Sequence, residues 1–193
     1  MPPHSRSDEA PPAFLRAVQS LHTRTVRPEI VVEDIPAPRR LAPYTVAMAA
    51  TVHTDEGDAA FGRLIVLYDP EESRGWPGPF RMGAYVSAEL EPDLSGDPLL
   101  GQVAWSWLTE ALEAQGADHR ALSGTVTRAT TEGFGLKAGE PTTTEVEVRA
   151  SWTPTEAEDL SAHRAAWLDL LSVAAGLPPV DVTDISRRAR SDA

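Results

Sequence analysis

A period-two alternation of apolar and polar side chains recurs along this chain and constrains its fold more than any other feature. In the clearest run, Met82, Ala84, Val86, Ala88 and Leu90 alternate with Arg81, Tyr85, Ser87 and Glu89. Successive side chains of a strand point to opposite faces, so such a run makes one face for a core and one for water. Tyr44, Val46, Met48, Ala50 and Val52 repeat the pattern, as do Val146, Val148, Ala150 and Trp152. Three further segments read as strands: Glu29–Ile35, Phe61–Tyr68 and Ser123–Thr131. Turn residues Thr54-Asp55-Glu56-Gly57-Asp58 join the second strand to the third, and Gly133, Gly135, Gly139 and Pro141 form the loop of a later hairpin.

Three segments change to helical spacing. Phe14, Leu15, Val18 and Leu21 recur after Pro12, until Arg27-Pro28 forces extended backbone. Asp97-Pro98 opens a helix to about Gln115, stopped by Gly116. Thr155-Glu156-Ala157-Glu158 has capping-box spacing and predicts a helix to about Ala175, closed by Gly176 and Pro178-Pro179. The order α-ββββ-α-ββ-α predicts an α+β domain over residues 12–178, with an antiparallel sheet of about six strands and three helices packed mainly on one face. Residues 1–11 and 179–193 read as flexible tails, the second carrying the basic run Arg187-Arg188-Ala189-Arg190.

Composition narrows the chemistry. There is no Cys, which removes disulfides, thiolate catalysis and cysteine-ligated metals. Seventeen basic against 29 acidic side chains leave a net charge of −12, a field that repels phosphate backbones and disfavours bulk nucleic-acid binding. No apolar run reaches the ~18 residues of a membrane span and no signal-peptide core precedes the first helix, so the expected address is the cytoplasm, with no membrane partner. Phosphate-loop, dinucleotide, nucleophile-elbow and zinc-helix motifs do not occur, and the five histidines have no ligand spacing. No cofactor or metal is expected.

The candidate residues come from faces. Leu100, Val103, Ala104, Trp105, Trp107, Leu108, Ala111 and Leu112 fill roughly 200° of the central helix, twice the stripe that seats a helix on one sheet. A second helix of this chain or a partner must cover the surplus, which makes Trp105, Leu108 and Leu112 a candidate interaction surface. In the last helix His163 sits amid an apolar arc, as a core histidine or as a proton-transfer group in a pocket. Arg81, Arg128 and Arg149 on the strands read as cross-strand ion-pair partners or as an anion-binding patch.

Taken in order, Arg27-Pro28-Glu29-Ile30, Leu41-Ala42-Pro43-Tyr44, Gly62-Arg63-Leu64 leading to Tyr68-Asp69-Pro70, Ala88-Glu89-Leu90-Glu91-Pro92, Trp105-Ser106-Trp107-Leu108 and Ser123-Gly124-Thr125-Val126-Thr127-Arg128 are specific marks. With Arg149-Ala150-Ser151-Trp152-Thr153-Pro154, His163, Ala166-Trp167 and Ala175-Gly176-Leu177-Pro178-Pro179, they resemble an actinobacterial family, domain of unknown function 3000, over about residues 12–180. The resemblance implies no reaction, cofactor or catalytic residue; by association it implies genes beside a ribonuclease-D-like exonuclease and haem-biosynthesis enzymes. The element order is also similar to that of small acidic secretion-chaperone-like proteins, which dimerise and bind polypeptide, although four strands rather than three precede the central helix here. The leading expectation is a non-enzymatic protein-binding or adaptor domain that holds a protein partner or itself. A small-molecule enzyme or sensor with a pocket near His163 is the alternative, and an accessory factor in RNA processing is the third reading.

Overall fold

The alternating runs pair into one antiparallel sheet in the computed structural model, which describes residues 10–90, 96–156 and 158–179. Its strands are β1 (Ile30–Ile35), β2 (Tyr44–Thr54), β3 (Gly57–Tyr68), β4 (Phe80–Glu89), β5 (His119–Thr131) and β6 (Thr143–Pro154), in spatial order β1-β2-β3-β4-β6-β5. The first four form a meander. The β5–β6 hairpin then returns with β6 against β4, which leaves β5 as the outer edge. The helices are α1 (Pro12–Ser20), α2 (Leu100–Ala114) and α3 (Ser161–Ala174), so the fold is α+β in the order α-ββββ-α-ββ-α. No helix among the described residues is long and apolar enough to cross a membrane. The tail readings, apart from Ala10, Pro11 and Pro179, fall outside the described residues.

Register sorts the side chains into two sets of rungs. On the helix side, Asp34–Met48–Leu64–Ala84–Ala150–Gly124 and Val32–Ala50–Gly62–Val86–Val148–Val126 run across the sheet. These rungs are buried over their central strands because α3 lies over β2, β3 and β4 while α2 lies over β5 and β6. At one end Phe14 of α1 packs on Tyr44 and Tyr68, with ring centroids 5.7 and 5.8 Å away, and Phe80 lies 4.5 Å beyond Tyr68. That aromatic cluster anchors the first helix, as its apolar stripe predicts.

Helix ends follow the sequence at one terminus and depart from it at the other. Gly116 and Gly176 both take positive φ, and the amides of Ala117 and Leu177 reach back to the carbonyls of Leu112 and Ser172, closing α2 and α3 as read. At the N-termini, Asp97 accepts the Leu99 amide at 2.8 Å, yet the regular helix starts only at Leu100. The capping box is not used. Glu158 instead forms a paired ion bridge with Arg16 of α1 at 2.7 Å, Asp159 accepts the Ser161 amide at 2.9 Å, and Ser20 accepts that of Leu160 at 2.8 Å. Tertiary partners on α1 thus displace a local cap and start α3 later than predicted.

Two glycines set how close the helices come. A side chain at Gly62 would stand 3.0 Å from the Trp167 indole nitrogen, and one at Gly124 would collide with the Arg149 carbonyl and lie 2.7 Å from the Trp105 ring. Gly124→Ala should therefore cost about 3 kcal/mol, because backbone and ring must both move. Gly83→Ala, where the added carbon meets nothing within 4 Å, should change stability by less than about 1 kcal/mol. Urea unfolding of both variants beside the wild type measures the contrast; equal losses would rule out this account of helix seating.

Candidate functional site

No helix among the described residues packs on the opposite face of the sheet, where Ala47 and Thr153 are buried and the stretch around Gly83 lies open. In one rung of this face, Ile35–Ala47–Ile65–Gly83–Ser151–Ser123, the side chains are small from β4 outward through β6 to β5. The next is taller: Glu33–Ala49–Arg63–Tyr85–Arg149–Thr125. Side-chain height therefore drops at Gly83, and a cavity of about 740 Å3, open to solvent, forms over that floor. A solvated sheet face is ordinarily polar. This one carries Phe61, Ile65 and Tyr85.

The aromatic rings and guanidiniums of the trough interlock. Phe61 and Tyr85 stand edge to face, 6.5 Å between centroids; Arg63 lies 5.5 Å from the Phe61 ring and Arg149 lies 5.2 Å from that of Tyr85. The Tyr85 hydroxyl donates to Glu147 at 3.0 Å, and Arg149 bonds the other oxygen of the same carboxylate at 2.8 Å. Ser87 donates to Glu145 beside them. Burial pushes the Tyr85 phenol above its usual pKa, so it remains a donor at neutral pH. Arg63 is exposed and has no carboxylate partner among the described residues.

The arginines predicted from sequence separate. Arg149 lines the trough, while Arg81 donates to the carbonyls of Ala121 and Ser151 and to the Ser151 hydroxyl. That guanidinium secures the irregular stretch of β5 where Ala121 takes positive φ, and it is largely occupied. Arg128 shares a rung with Val146 on the helix side and donates to the Asp97 carbonyl ahead of α2. The three do not converge, so they make no common anion patch.

The surplus arc of α2 is covered from within. Leu108 and Leu112 are completely buried between the sheet and α3, which corrects their reading as a contact surface; Trp105 is half-buried over Gly124 at the sheet edge. Only Val103 and Leu99 of that region stay exposed as large apolar side chains. His163 is 2% exposed on the helix side, away from the trough, and accepts a hydrogen bond at Nδ1 from the Trp152 indole at 3.0 Å. Among the described residues no group of three or more His, Asp or Glu is placed to hold a metal ion. The trough residues Phe61, Arg63 and Gly83 were missed in sequence, although an outward aromatic on each of two strands was the available signal.

A family model described as a protein of unknown function (DUF3000) matches residues 10–183. No curated protein and no solved structure matches the chain.

The Trp152 hydrogen bond requires an unprotonated Nδ1, and burial pushes the His163 pKa down to about 4, aided by His119 and partly opposed by Asp118 and Asp159. The unfolded chain takes up this proton near pH 6.5, the folded chain only near 4. His163 should therefore contribute stability that is complete above pH 6.5 and falls as the pH drops towards 4, by about 3 kcal/mol in all. His163→Gln, which keeps an acceptor for Trp152, should flatten that part of the profile in urea unfolding between pH 7 and 4.5. An unchanged slope would contradict the assignment.

Proposed function

We propose, for a chain that belongs to the DUF3000 family of proteins of unknown function, a polypeptide-binding module that receives its partner on the open face of the sheet. The observation that carries this reading is the trough: a floor of small side chains at Gly83 and Ser151, with the Phe61, Arg63, Tyr85 and Arg149 cluster beside it. Tyr and Arg dominate contact energies because they bury large rigid area and still make directional polar bonds. The floor accommodates an apolar or aromatic side chain. Arg63, exposed and without a carboxylate of its own, suits an acidic residue of the bound segment.

A second reading has one observation in its favour. Phe61 and Tyr85 stand on adjacent strands of an open antiparallel sheet, the arrangement on which single-stranded RNA stacks its bases. Glu145 and Glu147 on the same face, with the net charge of −12, oppose a phosphate backbone and favour the polypeptide.

Selection from a displayed random peptide library on the full chain should enrich a consensus that pairs an apolar or aromatic residue with an acidic one. Gly83→Trp, which fills the floor from a position with open space around it, and Tyr85→Ala should each weaken that peptide at least tenfold, about 1.4 kcal/mol, with little change in melting temperature. Peptides that bind the Gly83→Trp chain as well as the wild type would overturn the proposal. Tight binding of single-stranded RNA, falling steeply with salt, would replace it with the second reading. Light scattering on the same samples tests self-association: a dimer that Gly83→Trp dissociates would make the partner a second copy.

A further inference from the structure

The helix layer holds a second opening that plays no part in the trough. A groove of about 1100 Å3 lies between α2, α3 and the segment 23–30 that leads from α1 into β1, with residues 177–179 closing one side. Trp107, Leu168, Val173, Leu177 and Pro178 make its apolar walls. Arg164 lines the same groove, on the first turn of α3, and is only 5% exposed.

Its guanidinium is poorly satisfied. Nη1 reaches the Arg24 carbonyl at a long 3.4 Å, Nε is buried with no acceptor, and Nη2 has none among the described residues. Buried donors without partners are rare, and a buried cation is ordinarily paired. The other charged groups of the groove have partners or face water. Arg27 bonds Glu29 and the Pro178 carbonyl, Arg24 bonds Gln115, Gln115 donates to Asp169, and Glu110 is exposed. The charge of Asp34 acts on Arg164, but Asp34 pairs with His22 and makes no ion pair with Arg164.

We propose that this groove is a binding site for a small monocarboxylate with an apolar body, its carboxylate held by Arg164. With Nη1 occupied, the remaining edge of the guanidinium presents Nε and Nη2, whose parallel N–H groups match the two oxygens of a carboxylate. Nε is shielded from solvent, so the carboxylate engages it with a rotation of the Arg164 side chain. One negative charge is the fit, because Glu29, Glu110 and Asp169 line the same groove and repel a dianion. Trp107 and Leu168 receive the apolar body.

The full chain is titrated with phenylacetate, hexanoate, phenylacetamide and inorganic phosphate, following the indole N–H signal of Trp107 by NMR, assigned with Trp107→Phe. Both carboxylates should shift that signal saturably, and the amide and phosphate should not. Arg164→Gln should raise the dissociation constant at least tenfold. Val173→Trp fills the groove from a position that is 46% exposed, and it should abolish the shift with the melting temperature unchanged. Equal binding of the amide or of phosphate, unaltered binding in Val173→Trp, or no saturable shift with either carboxylate would each overturn the site. The Val173→Trp arm stands even if Arg164→Gln does not fold.

Discussion

The close approach of two helices to one face of the sheet is the constraint on which the rest depends, and two tryptophans set it. Trp167 of α3 lies over Gly62 of β3, and Trp105 of α2 lies over Gly124 of β5. Each indole occupies the space where a side chain would otherwise stand, so the helix layer sits down onto the central and outer strands. Trp152 and Trp167 are completely buried, and with Leu64, Met82 and Val148 they exclude water from the layer between. This burial is what offsets the chain entropy lost on folding.

The same contact reaches through the sheet. The Trp167 indole donates to the Tyr85 backbone carbonyl at 3.4 Å, from the side opposite to the one on which the Tyr85 ring stands. The residue that shapes the trough is thus tied to the helix layer behind it, while Arg81 fastens β4 to β6 and to the irregular part of β5 alongside. Side chains carried on hydrogen-bonded strands are held in place better than side chains carried on loops. The open face is therefore a stiff platform, with its polar and aromatic groups already oriented by Glu147 and by one another.

Much of this was legible in the linear sequence because a strand has a period of two and each run was long enough to show it. The apolar faces of β2, β4 and β6, the glycine closures of α2 and α3, and the place of His163 among apolar side chains all follow from local chemistry. What local chemistry missed lay where a distant partner competed. Glu158 left its capping role for Arg16, more than a hundred positions away in sequence, and β3 extended back to Gly57 once β2 was beside it. The wide apolar arc of α2 was correctly seen as needing a second cover. Whether that cover was α3 or another molecule is a property of packing, and Leu108 and Leu112 are buried by the chain itself.

The sequence by itself determined the class of fold, the order of its elements and the family, because alternation, helical spacing and glycine stops are written in neighbouring residues. Only the tertiary structure decided which side chains meet. Insertion of β6 beside β4 puts Tyr85 next to Arg149 and Gly83 next to Ser151, and it sends Arg128 to the other face of the sheet. Packing of α2 against α3 leaves Arg164 in the wall of a groove, with donors that no described neighbour satisfies. Register and helix packing join residues far apart in the chain, and a pattern of near neighbours carries no information about such pairings.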